Sequence, residues 1–303
     1  MSALKKSLFA VLLFAVCACY AVIASADDDE KLLPFVLASK GPGDVVAIAD
    51  EVKQKLEAKG FQVVGSYSPY ESTAIIVVTN DALKQAAAKS EFGGYGAAQR
   101  VSVTRVGDEV QVAYTNPVYM SYAYRMDADL SGVAAQLADA LGDQQAFGPK
   151  KGLTPKKLRK YHYMFGMEYF DEPSKLAEYD SQEEAVKAVE AGLASHKGGA
   201  SKVYRIDIPG KAETVFGVGL DNSVECSGDA YIMSEIDFKP LRSSAHLPYE
   251  ILVSDGTAYA LYARFRIAIN FPDLSMMGSH SFMNIMCAPD AIEDALEAVA
   301  KDK

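Results

Sequence analysis

The side chains with most capacity for chemistry crowd into one stretch near the C-terminus: Met276, Met277, His280, Met283, Met286 and Cys287. Thioether, imidazole and thiolate donors suit Cu(I), and a methionine or histidine also suits the axial position of a haem iron. If the stretch is helical, Met276, His280, Met283 and Cys287 share one face, the placement a common metal requires. The competing reading is that methionines at this spacing fill gaps in a core or a domain interface. No Cys-x-x-Cys-His occurs, which removes covalent haem attachment. Cys287 has a second use. Cys17 and Cys19 fall within the first 26 residues, so Cys226 and Cys287 could pair with each other in an oxidising compartment.

A second group is aromatic. The chain has 17 tyrosines and no tryptophan, and Tyr114, Tyr119, Tyr122 and Tyr124 lie close to Met120 and Met126. Tyr259 and Tyr262 occupy the corresponding place in the second half. Such side chains could line an apolar groove with hydroxyl handles, and His246 could face a pocket, so Tyr114, Tyr119, Met120, Tyr122, His246 and Tyr262 are the expected ligand contacts. The same residues would serve equally as ordinary core.

Catalytic patterns are missing. Ser227 has no base near it in sequence, and no Gly-x-Ser-x-Gly occurs. The glycines of Glu91 to Gly96 lack the lysine-serine sequel of a phosphate loop and read as a flexible connection. Asp127 with Asp129, and Glu293 with Asp294, read as charges at helix starts or on solvated faces. The chain is therefore expected not to be an enzyme, with a cofactor-free enzyme as the weakest alternative.

These residues must be positioned by elements that recur. Asp44 to Lys59 places Val45, Ile48, Val52 and Leu56 on one helical face before Gly60, and Ser181 to Leu193 repeats the stripe with Val186, Val189 and Leu193. The offset between these stripes is 141, and between Pro69 and Pro209, which end the following strands, it is 140. Each half then offers a strand (Thr73 to Thr79; Glu213 to Leu220) and a hairpin. The hairpins run Val101 to Val106 and Glu109 to Tyr114 around Gly107-Asp108, and Tyr249 to Val253 and Thr257 to Ala268 around Asp255-Gly256. Closing helices carry Leu130, Val133, Leu137 and Leu141, and Ile292, Ala295, Leu296 and Val299. The leading strands are expected at Leu33 to Ser39 and Tyr161 to Phe170, the latter with His162 in an alternating pattern. Antiparallel strands with helices on one face predict an α+β fold of two similar units.

The start of the chain reads as an export signal. Lys5 and Lys6 precede an apolar run from Leu8 to Ile23, then Ala24-Ser25-Ala26 and the acids Asp27 to Glu30. Cleavage after Ala26 predicts a periplasmic mature protein beginning at Asp27, with lipidation at Cys19 as a minor alternative. Removing two lysines and no acids takes the formal charge from −10 to −12. An acidic chain whose basic residues cluster only at Lys150, Lys151, Lys156, Lys157, Arg159 and Lys160 is not expected to bind nucleic acid. That basic stretch reads as solvating a connecting segment, and the membrane is expected to matter only through the export signal.

His246-Leu247-Pro248-Tyr249-Glu250-Ile251-Leu252-Val253, with Asp255-Gly256 and a strand ending at Tyr262, resembles the hallmark hairpin of the domain of unknown function 302 family. Gly107-Asp108-Glu109-Val110-Gln111-Val112-Ala113-Tyr114-Thr115-Asn116-Pro117 is similar to the same strand with its Tyr-x-Asn-Pro ending. The resemblance implies one strand, one helix, four strands and a helix, as in TATA-binding-protein-like folds, and a tendency to pair, hence a homodimer as one option. The first half lacks Leu-Pro, the second lacks Asn-Pro after Tyr262, and the family has no established reaction. The expected organisation is an export signal (1–26), a first domain (27–141), a linker (142–158) and a second domain (159–303). The expected function is that of an exported, non-catalytic ligand-binding or assembly protein, taking a small apolar ligand or another exported protein. The alternative is a periplasmic copper or haem carrier.

Overall fold

The computed structural model describes residues 30–301. The export signal, Cys17, Cys19 and the expected mature terminus lie outside the described residues. The first half runs β1 (Phe35–Gly41), α1 (Val45–Ala58), β2 (Gln62–Tyr67), β3 (Thr73–Thr79), α2 (Asp81–Lys89), β4 (Gln99–Val106), β5 (Glu109–Thr115), α3 (Pro117–Ala123) and α4 (Ser131–Leu141). A short strand β6 (Gln145–Phe147) and helix α5 (Pro155–Leu158) follow. The second half runs β7 (Ser174–Glu178), α6 (Gln182–Ala194), β8 (Ala200–Asp207), β9 (Glu213–Leu220), α7 (Asp229–Ile236), β10 (Tyr249–Ser254), β11 (Thr257–Ala260), α8 (Ala263–Ala268) and α9 (Ala288–Ala300).

The helices form where an apolar stripe meets a cap. Asp44 accepts the backbone N–H groups of Val46 and Ala47 at the start of α1, whose Val45, Ala49, Val52 and Leu56 are buried. The Ser181 hydroxyl accepts from Glu184 N at the start of α6, which buries Ala185, Val189 and Leu193. Asn116 caps α3, and Pro117 follows at its first turn, where a missing N–H costs nothing.

Both sheets are antiparallel, and they share one strand order. The first is β2-β3-β4-β5-β1-β6 and the second, read from its far edge, is β8-β9-β10-β11-β7. With β7 to β11 matched to β1 to β5, each half is an α+β unit in which the leading strand closes against the fifth. The added helices also correspond: α2 and α7 follow the third strand, and α3 and α8 the fifth.

The two sheets meet face to face. Cross-strand register puts Ile75 and Val77 on the same face as Ser102 and Arg100, and Leu252 on the same face as Val215. Val215, Leu252, Tyr204 and Ile206 belong to one apolar cluster with the first sheet, whereas Phe216, Val218, Ile251 and Val253 pack with α6 and α9. The stack is thus helix, sheet, sheet, helix. Gly65 of β2 lets the layers approach closely, because a Cβ there would lie 2.1 Å from the backbone oxygen of Val203 on β8.

Four expectations are corrected. Tyr161 to Phe170 is not a strand. Its tyrosines turn aside, the hydroxyls of Tyr161 and Tyr163 donating to the carbonyls of Ala268 and Leu274, and β7 takes the edge beside β11. The strand expected through Ala268 stops at Ala260, and the chain turns into α8, which points Arg266 inward. Glu91 to Gly96 is no flexible connection. Gly93–Gly96 form a buried turn, where Gly94 N donates to Glu213 Oε1 at 2.6 Å and a Cβ on Gly94 would lie 2.4 Å from Leu252. The Met276 to Cys287 stretch is not a helix, since His280 has a φ of 53° and only Phe282–Ile285 form a 3₁₀ turn. Within 142–158, β6 pairs with β1, and Leu153 bridges Leu32.

Candidate functional site

Among the polar regions between the halves, two have buried charged groups of contrasting kind. The first is sealed. Arg100 on β4 pairs with Glu250 on β10, the equivalent strand of the other half, and Arg266 on α8 donates from Nε to Glu250 Oε2 at 3.1 Å. All three side chains are at most 3% exposed. Arg266 also donates to Asn270 Oδ1 at 2.6 Å and to the carbonyls of His246 and Pro248. The His246 ring lies between Asn270 Oδ1 (2.7 Å from Nδ1) and the Tyr249 hydroxyl (3.3 Å from Nε2). Burial, then the neighbouring Arg266, holds its pKa well below the usual histidine range, so it is neutral. One carboxylate between two guanidiniums repays part of a large desolvation cost, and its chief effect is to fix how the sheets dock.

The second region is open. A cleft of about 490 Å³ lies where Tyr70, Thr73, Thr104 and Arg105 of the first half face Met233, Asp237, Phe238 and Arg242 of the second. Tyr70 donates to Ser244 Oγ at 2.9 Å, Thr104 donates to the same atom at 3.2 Å, and Ser244 donates onward to Asp237 Oδ2 at 3.2 Å. Asp237 also accepts from Ser243 N at 2.8 Å. Burial pushes the Asp237 carboxyl up to about 6, against these hydrogen bonds and the nearby Arg242. Burial, then Asp237, pushes Tyr70 up to about 12. Beside the cleft, Tyr67 donates to Asp229 Oδ2 at 2.9 Å, and burial raises the Asp229 carboxyl to about 7. The cleft therefore offers hydroxyls, the guanidiniums of Arg105 and Arg242 and the carboxyl groups of Glu71 and Asp237 beside the apolar side chains of Met233 and Phe238.

The expected ligand contacts do not converge on this cleft. Tyr114 is buried, and its hydroxyl donates to Gly142 O. Tyr119 and Met120 reach the seam, where Tyr119 donates to Ile269 O at 2.7 Å and Met120 Sδ lies 4.0 Å from Asn270 Nδ2, yet both are packed solid. Arg159 lies over the Tyr122 ring and Arg264 over the Tyr262 ring. His246 is sealed among its partners.

The expected metal donors are likewise pulled apart. Cys287 is bonded to Cys226, with sulfurs 2.13 Å apart, so it offers no thiolate. His280 donates from Nδ1 to Glu235 O at 3.0 Å and stacks on Phe238. Met276 Sδ lies 3.1 Å from the Tyr163 hydroxyl, and Met283 points to solvent. The packing alternative fails too, because Met277, Met283 and Met286 are all half exposed or more. Among the described residues, no three His, Cys, Asp or Glu side chains group as metal ligands.

Sequence reading missed Tyr67, Tyr70, Asp229 and Asp237, which come together across the seam from far apart in the chain. It also missed Arg100 and Glu250; Glu250 had a signal, a charge beside the apolar run Ile251 to Val253, whereas Arg100 is one of several polar residues that alternate along β4. No family model matches the chain, and no curated protein or solved structure matches it either.

Proposed function

We propose that this chain is an exported, non-catalytic binding protein whose recognition site is the cleft between its two halves. The observation that carries the reading is the Tyr70–Ser244–Asp237 chain, a polar relay contributed by both halves whose Tyr70 and Asp237 ends line a space of about 490 Å³ beside Met233 and Phe238. A small molecule with an apolar body and a hydrogen-bonding head matches that lining. Support for a non-catalytic role comes from the one serine in the relay. Its hydroxyl is buried and engaged by Tyr70, Thr104 and Asp237, while the nearest histidine in sequence, His246, turns to Asn270 and Tyr249. Export is supported by the Cys226–Cys287 bond, which belongs to oxidising compartments. The likeness to the domain of unknown function 302 family stays part of this proposal, with the shared strand order in its support.

The test is a thermal-shift screen of small apolar and amphipathic compounds against wild-type protein and Ala230→Trp. Ala230 is a partly exposed residue lining the cleft, so the indole fills the space without entering the core. A compound that raises Tm in wild type and not in Ala230→Trp is the expected result. Equal shifts in both proteins, or no shift from any compound, overturns the reading.

A further inference from the structure

We propose that the surface from Lys150 to Phe165 docks the protein on an anionic phospholipid bilayer. The segment runs against the sign of the whole chain: from Gln144 to Met167 there is no acid, in a protein whose formal charge is −10. Pro155 and Leu158 are buried and pin α5 to the body, which turns Lys156 and Lys157 outward; Lys150, Lys151 and Lys160 are also exposed. None of the five lysines has an ion-pair partner among the described residues. Arg159 alone is turned inward, its guanidinium over Tyr122 and donating to Met126 O. Lysines that settle ion pairs within a protein are spent; these are free for an external anion.

Apolar side chains protrude beside them. Phe165 is 99% exposed and Met277 75%, and Met164 is exposed as well. The two patches are one surface. His162 lines a hollow of about 600 Å³ together with Lys156, Lys157 and Lys160, and its Nδ1 lies 2.8 Å from Met164 O. Next to it, the Tyr163 hydroxyl lies 3.1 Å from Met276 Sδ, which joins this loop to the exposed methionines. A nucleic acid or an acidic protein would meet the lysines but leave a fully exposed phenylalanine in water. A bilayer interface takes both: headgroup phosphates meet the ammonium groups, and Phe165, Met164 and Met277 enter the acyl boundary. The hollow beside the lysines has room for a headgroup.

The test is co-sedimentation of the mature protein with vesicles of equal parts phosphatidylglycerol and phosphatidylcholine, and with phosphatidylcholine alone. Binding only to the anionic vesicles is expected, weakening steeply with added salt as screening shortens the reach of the lysines. Lys156→Glu/Lys157→Glu/Lys160→Glu should lose roughly 100-fold in partitioning, at about five-fold for each lysine removed. Phe165→Ser should weaken binding several-fold while keeping the same salt dependence. All four positions are exposed, so an unchanged Tm certifies each fold. No binding to anionic vesicles, equal binding to both compositions, or a triple variant that binds like wild type overturns the proposal, as does binding of a short DNA duplex without vesicle binding.

Discussion

The sealed cluster around Glu250 and the open cleft around Asp237 are both polar, both built across the same seam, and physically opposite. In the first, charge is fully buried and ion-paired: the single carboxylate of Glu250 holds both Arg100 and Arg266, and His246 is kept neutral. In the second, the carboxyls of Asp237 and Asp229 are buried with no side-chain ion pair among the described residues, Arg242 lying near Asp237 but donating to its backbone oxygen, and rely on tyrosine, serine and backbone donors. Burial accordingly raises their pKa values to about 6 and about 7. Buried ion pairs tie the two sheets together, whereas a carboxyl without a side-chain ion pair beside an open space, as at Asp237, can change its charge with its surroundings. The same seam thus holds a sealed ionic cluster and an open cleft lined by a raised-pKa carboxyl.

The comparison is broken most severely at Glu250. Glu250→Gln strands two guanidiniums in the interior and should cost about 3 to 5 kcal/mol of unfolding free energy, measured by urea denaturation. A loss below about 1 kcal/mol would mean that the cluster is incidental to docking.

A pH titration sharpens the other side. Asp229 has a folded pKa of about 7 against an ordinary value of 3.8. It is protonated when folded and ionises on unfolding, so its contribution is full below 3.8 and is lost as pH rises through 7. Between pH 5 and 8 stability should fall by about 2 to 3 kcal/mol, with Asp237 adding in the same direction. Asp229→Asn should flatten most of that slope. An unchanged slope in the variant would place the titrating group elsewhere.

The smallest expected effect is at Tyr70. Tyr70→Phe removes one hydrogen bond to Ser244 and should cost about 1 kcal/mol of stability. It should nevertheless weaken any cleft ligand by more than an equivalent deletion at Tyr114, whose hydroxyl serves only Gly142. Calorimetric titration of both variants with the same compound decides it.

Much of the scaffold was legible in the chain because it is local. The stripes at Val45 to Leu56 and Val186 to Leu193, and the turns at Gly107-Asp108 and Asp255-Gly256, follow from the periods of 3.6 and 2 and from the backbone freedom a tight turn needs. Short helices escaped. α3 begins with Asn116-Pro117, a capping signal that was read only as a strand ending, and α8 was absorbed into the preceding strand because Phe265, Ile267 and Ala268 look equally apolar in either period. The site was not legible for a different reason. Tyr70 and Ser244 are 174 residues apart, and Tyr67 and Asp229 are 162 apart, so only the docking of one sheet on the other joins them. The methionine stretch misled because its apparent helical face needs a helix, and His280, in a left-handed conformation, breaks it.

The claim that the cleft recognises a ligand while the Glu250 cluster only holds the halves together is tested most directly by hydrogen exchange. Amide exchange would be followed by mass spectrometry with and without a compound that stabilises wild-type protein but not Ala230→Trp. The account predicts added protection in the peptides spanning Tyr70 to Thr73 and Met233 to Ser244, and no change around Arg100 and Glu250. Protection gained at Arg100 and Glu250 instead, with the Tyr70 and Met233 peptides unaffected, would contradict it.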